Sequence, residues 1–153
     1  MKALELKIPP VALLLIFAFL MWALNSRIVI IKISFAGFHW LGPLCFVLGT
    51  IVALLGVYQF RKFNTTVDPR VPQESSSLVT AGIYQYSRNP MYLGFLLMLT
   101  AWAIALANPL AFIGLPLFVM YMNRFQIKPE ERFMQENFGD EYRQYQLKVR
   151  RWI

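Results

Sequence analysis

The sequence predicts an all-α integral membrane protein: about four transmembrane helices, followed by cytoplasmic amphipathic helices. Three observations predict it. Apolar residues make up 58% of the 153-residue chain and charged residues only 15%, whereas a soluble domain runs near half apolar and about a quarter charged. The mean hydropathy is +0.48. The apolar residues also fall into four runs separated by polar, proline-rich or charged text, as membrane spans do. Aromatic residues, at 16%, suit rings held at the headgroup level. Cys45 and His39 are the single cysteine and single histidine, so neither an intramolecular disulfide nor a Cys- or His-rich metal site is expected.

The first span covers roughly residues 8–26 around PVALLLIFAFLMWAL. A signal peptide is the rival reading, but NSRIVIIK follows where a small-residue cleavage site belongs. Residues 28–39 are apolar but carry Lys32, Gly37 and His39, and read as a re-entrant or interfacial stretch. The second span covers 39–60, with Gly42, Gly49 and Gly56 at intervals of two helical turns. Small residues along one stripe let another helix approach closely in lipid, within the chain or in a homo-oligomer. The third and fourth spans, 90–107 and 109–127, are parted by Asn108-Pro109 and must form a tight helical hairpin. Loop 61–89 and tail 128–153 complete a single domain, 1–153.

Charge sets the orientation. With the N-terminus inside, all of the 15 Lys and Arg residues except Arg27 and Lys32 fall on the inner side. The positive-inside rule therefore predicts cytoplasmic termini. It also accounts for the net charge of +7 without a nucleic-acid partner.

The inner loop is rich in Pro, Ser and Thr but keeps apolar anchors, Leu78, Val79, Ile83, Tyr84 and Tyr86 among them. At its end Asn89 reads as an N-cap and Pro90 as a first helical residue. In the tail, Pro129 starts or kinks a helix, with Glu130 and Glu131 in a first turn that favours carboxylates. Gly139 reads as the residue after that helix's C-cap, and Asp140 as the cap of the next. Tyr142, Tyr145, Val149 and Trp152 then form one apolar stripe. Each of these readings is structural. The hairpin adds a second reading: it brings the inner ends of spans three and four together, so YQYSRNPMY meets KPEER. An arginine, two carboxylates and several tyrosines converging at a membrane face suit a polar cofactor and a greasy substrate.

The text LVTAGIYQYSRNPMYLG, followed across the hairpin by EERFMQENFGDEYRQY, resembles the isoprenylcysteine carboxyl methyltransferase and phospholipid methyltransferase superfamily. It is similar to that superfamily's patterns G-x-Y-x-x-x-R-[NH]-P-x-Y-x-G and E-E-x-x-[LM]-x-x-x-[FY]-G-x-x-Y-x-x-Y. NTTVDPRVP looks like the corresponding loop of its bacterial members. The match runs from about Asn64 to the C-terminus; the first two spans match in hydrophobicity alone.

The resemblance implies a membrane-bound methyltransferase dependent on S-adenosylmethionine (SAM) and lacking a Rossmann fold, with which the absence of any G-x-G-x-x-G agrees. It implies cofactor contacts from Tyr84, Arg88, Asn89, Pro90, Tyr92, Leu93, Gly94, Glu130 and Glu131, with Arg88 and Glu131 catalytic. It implies acceptor contacts from Tyr142, Arg143 and Tyr145. It also implies a lipid tail reaching the methyl group through a gap between spans, and leans toward a prokaryotic inner membrane. Asn89 stands where the carboxyl methyltransferases proper have His, and other branches have Asn. The acceptor therefore stays open among an isoprenylcysteine, a phospholipid amine and a small thiol. A non-enzymatic membrane adaptor or transport subunit is the reading from another class.

Overall fold

The computed structural model describes residues 5–28, 38–63 and 77–153. The stretch read as re-entrant, 28–39, and the motif NTTVDPRVP lie largely or wholly outside those residues. Among the described residues the fold is all-helical, in the order α1 (Pro10–Arg27), α2 (Phe38–Lys62), α3 (Pro90–Leu106), α4 (Gly114–Tyr121) and α5 (Lys128–Lys148). Three helical runs, Pro10–Arg27, His39–Lys62 and Pro109–Lys148, are long and apolar enough to cross a membrane. The shorter apolar helix α3 packs among them. The chain is an integral membrane protein of the all-α class.

α1 starts where Pro9-Pro10 fixes the backbone for a first turn. Its inward face carries Leu13 and Met21, which are buried, while Leu15 and Phe19 look outward. α2 packs along α3, and α1 leans on α3 from another side. The α2–α3 contact is backbone on backbone. A Cβ built on Gly49 would sit 2.6 Å from the Gly94 carbonyl oxygen, and one on Gly94 would sit 2.5 Å from that of Gly49. A Cβ on Gly56 would meet the Met91 side chain. The glycine stripe of α2 is thus used inside the chain, against α3.

α3 ends at Ala107, which adopts the left-handed conformation. Asn108 then fixes the hairpin. Its side-chain oxygen accepts from the Leu110 N–H, and its amide donates to Asn25 Oδ1 and to the Ile28 carbonyl, each at 3.0 Å. The fourth span differs from the single α-helix expected over 109–127. Pro109–Ile113 is a 3₁₀ turn, Gly114–Tyr121 is α-helical, and Met122–Ile127 is a π-helical segment running directly into α5. Wider π turns release backbone and side-chain groups for other partners. Here the Leu6 N–H donates to the Phe125 carbonyl, the Gln126 amide donates to the Ile8 carbonyl, and the Trp152 indole donates to Asn123 Oδ1. The apolar part of this run ends at Ile127, and α5 beyond it is strongly polar.

α5 is broken at Gly139, whose φ of 50° and ψ of −122° leave the helical region. Only glycine adopts such a backbone without strain. The turn lets the second half pack Tyr142, Tyr145 and Val149 against Leu78, Met134 and Phe138. Trp152, the last residue of the predicted stripe, joins the main core instead.

Candidate functional site

The inner ends of α2 and α3, the segment 78–89 before α3 and both halves of α5 line a small cavity of about 80 Å³. Tyr84 enters from a 3₁₀ turn, Gly82–Gln85, and sets its ring edge-on to Phe60 at the end of α2. Gly82 has a φ of 62°, and a Cβ there would strike the Gln59 side chain. Arg88 and Asn89 lie on the short link to α3. Tyr92 is one turn inside that helix, and Glu130 and Glu131 open α5.

Glu131 is the hub. Its Oε1 accepts from Arg88 Nη2 at 2.7 Å and from Arg151 Nε at 3.0 Å, and its Oε2 accepts from Arg151 Nη2 at 2.6 Å. The Arg151 contact is bidentate, the strong geometry for a guanidinium. Arg88 also donates through Nη1 to the carbonyls of Gln146 and Val149. Its backbone N–H donates to the Arg150 carbonyl, and the Asn89 amide donates to that of Arg151. Burial works to raise the Glu131 carboxyl, but the guanidiniums of Arg151 and Arg88 outweigh it and hold the group below the usual carboxylate range.

Glu130 is the opposite case. It accepts a hydrogen bond from the Tyr92 hydroxyl. Burial pushes its carboxyl up to about 8; the Tyr92 bond offsets part of that rise, and the neighbouring Glu131 charge adds to it. Two adjacent carboxyls are therefore held in different protonation states, one ionised and one neutral, as environment dictates. Burial likewise raises the phenols of Tyr84, Tyr145 and Tyr142, the last to about 12, so all three stay neutral. Tyr145 donates to the Tyr84 carbonyl at 2.6 Å. The Tyr84 hydroxyl and Arg88 Nε are buried without a hydrogen-bond partner among the described residues.

A pH profile tests this assignment. Between the ordinary carboxyl value of 4.5 and about 8, folded Glu130 keeps a proton that the unfolded chain has lost. Stability must then fall as pH rises across that window. The Tm of the purified protein is expected to decline over it, and Glu130→Gln to flatten the decline. Parallel profiles for the two proteins would mean that Glu130 is ionised in the fold.

The predicted site residues divide. Tyr84, Arg88, Asn89, Tyr92, Glu130, Glu131, Tyr142 and Tyr145 all line the cavity. Pro90, Leu93, Gly94 and Arg143 do not. Pro90 is buried as the first residue of α3. Leu93 lies off the cavity-facing side of that helix, and Gly94 faces Gly49 and Ala53 of α2. Arg143 is exposed on the outer side of α5. Two local readings also change. Asn89 does not cap α3 with its side chain, which instead holds the C-terminal segment. Glu130 and Glu131 do not complement a free helix start, because the π segment runs into α5 without a break. Arg151 is the partner that sequence reasoning missed. The one signal for it was a buried carboxylate needing more than a single arginine.

A larger groove of about 630 Å³ lies at the far end of α3, between α1 and α2. Its lining is apolar save for His39 and the Trp102 indole, whose N–H is already given to the Ala18 carbonyl. The charged side chains therefore gather at the smaller cavity.

The fold and this cavity define an all-helical membrane protein with a charged pocket at one end of its bundle. The phospholipid methyltransferase family profile matches residues 38–141, and the chain belongs to that family. A protein-S-isoprenylcysteine O-methyltransferase of Dictyostelium discoideum is 30% identical over 110 residues, covering 72% of this chain and 46% of that protein. The enzyme of the same name from Saccharomyces cerevisiae is 32% identical over 117 residues, covering 69% and 47%. An uncharacterized protein of Haemophilus influenzae is 51% identical over 63 residues, 41% of this chain and 100% of its own. The chain spans about half the length of the named methyltransferases it matches. No solved structure matches it.

Proposed function

We propose that this chain is a SAM-dependent methyltransferase of the membrane, with the charged cavity as its donor pocket and a lipophilic acceptor. The observation that carries the reading is the pairing of Glu131 with Arg88 and Arg151 beside the hydrogen-bonded Glu130 and Tyr92, all but Arg151 drawn from the stretches the resemblance singled out. The names of the Dictyostelium and yeast relatives favour a prenylated cysteine carboxylate as acceptor. The lysine and arginine bias puts this face, and both termini, in the cytoplasm, where the donor is made.

The residues fit the donor in chemistry. Its charged centre asks for a carboxylate and aromatic faces, which Glu130, Tyr84, Tyr92 and Tyr142 supply. Its own carboxylate asks for a guanidinium, and Arg88 has a buried Nε without a partner. In volume, about 80 Å³ holds the charged centre but not a nucleoside, so the cavity must widen on binding. When bound, the group supplies a methyl on a positively charged sulfur.

The chain's residues do the rest. Glu131 fixes Arg88 and Arg151, and Arg88 fixes the link that carries Asn89. Tyr92 orients the Glu130 carboxyl. Methyl transfer depends on alignment, and held geometry alone lowers such barriers by roughly 7–11 kcal/mol.

The test is binding followed by turnover. Detergent-purified protein is expected to bind SAM and its demethylated product in the micromolar range. It should then transfer a labelled methyl group to a farnesylated cysteine analogue in preference to phosphatidylethanolamine or a small thiol. Glu131→Gln should weaken binding at least tenfold. Absence of binding to either nucleoside would overturn the proposal.

A further inference from the structure

We propose that Glu130 is a proton-exchanging counter-charge for a sulfonium centre, so that the pocket takes the methyl donor by giving up a proton and holds the spent thioether without doing so. This rests on the donor-pocket reading above and goes further, naming the residue that distinguishes donor from product.

The geometry separates two carboxyls that are neighbours in sequence. Both Glu131 oxygens are engaged by Arg88 and Arg151, and this carboxylate has no capacity to spare for an incoming cation. The hydrogen bond the structure gives Glu130 comes from the neutral Tyr92 hydroxyl. Its charge is therefore uncommitted. The groups that share the cavity with it are Arg88 from the link before α3, Glu131 beside it on α5, and the phenols of Tyr84, Tyr92, Tyr142 and Tyr145; Arg151, from the C-terminal segment, stands behind Glu131. α2 contributes Phe60, which carries no charge. Arg88, Arg151 and Glu131 form one bonded network with a net charge of +1, and while Glu130 is protonated the cavity lining offers no uncommitted negative charge. An incoming cation would add to that net charge, and ionising Glu130 offsets the addition. Burial and the Glu131 charge, which push the Glu130 carboxyl up to about 8, provide the proton to be released at neutral pH.

A sulfonium suits this cluster. It has no donor to satisfy and requires only opposite charge and polarisable faces, which a carboxylate among phenol rings supplies.

Calorimetry on the full chain tests this without turnover. SAM and S-adenosylhomocysteine, which carry the same amino and carboxylate groups, are titrated in buffers of different ionisation enthalpy. Below pH 8, SAM is expected to release about one proton and the thioether none. The affinity ratio of SAM to thioether should rise about tenfold per pH unit and level off above the titration, as one linked proton requires. Glu130→Gln should abolish both effects. SAM binding without proton release, or equal release by the two nucleosides, would overturn the proposal while leaving the donor pocket intact. Failure of both to bind would instead remove the pocket itself.

Discussion

Arg88→Ala is expected to cost the fold about 3–5 kcal/mol, the usual penalty for stripping one partner from a buried ion pair. The Arg88 and Glu131 side chains are 11% and 13% exposed, so solvent screening does little to soften the loss. Three interactions go at once: the 2.7 Å contact with Glu131, and the contacts with the Gln146 and Val149 carbonyls. Arg151 remains on Glu131 but is 32% exposed and holds it from one side only. Thermal unfolding in detergent should show the drop. Arg88→Lys should restore little of it, since an ammonium does not span a carboxylate and two carbonyls as a guanidinium does. Adding Glu131→Gln to Arg88→Ala should cost less than the sum of the two single changes, since both remove the same contact. The same pair predicts acid sensitivity. Glu131 is held below the usual range, so its stabilisation is complete above the unfolded-state value and disappears as pH falls through the folded one. A Tm for Arg88→Ala equal to that of the parent would show that the network holds nothing together.

The second large effect is expected at Gly94→Val. A Cβ there meets the Gly49 carbonyl oxygen at 2.5 Å and Ala53 at 2.8 Å. Both are backbone or short side chain, and neither yields by rotating. α2 and α3 must separate, at a cost of about 1–3 kcal/mol or more for overpacking. Leu99 and Ala103, buried further along α3, then lose part of their packing. Loss of thermal stability with SAM affinity retained in the folded fraction is the expected pattern. Equal stability, with affinity alone lost, would return Gly94 to the pocket.

These two residues mark what could be read from the chain alone. Arg88, Tyr92, Glu130 and Glu131 were brought together by topology, since a two-residue break forces a hairpin and a hairpin aligns its ends. Gly94 falls outside the cavity lining by helical geometry. At about 100° per residue, Leu93 turns off the face of Tyr92 and Gly94 lies nearly opposite it, against α2. Arg143 falls outside the lining likewise, exposed one step round from Tyr142. Hydropathy located α1 and α2 because a run of apolar side chains is a local property. The π segment is not local. It depends on Leu6, Ile8 and Trp152 arriving from the two ends of the chain to meet its carbonyl and amide groups. Arg151 was hidden for the same reason: it reaches Glu131 after the reversal at Gly139, 20 residues away in sequence.

The touching backbones of Gly49 and Gly94 also bear on traffic from the bilayer. Two helices in main-chain contact leave no slot for a hydrocarbon tail, so that seam is no portal at this depth. If the acceptor carries a prenyl or acyl tail, as proposed, that tail has to reach the charged cavity by a flank other than the Gly49 and Gly94 contact. The sealed seam would then act as the fixed wall along which the tail is steered.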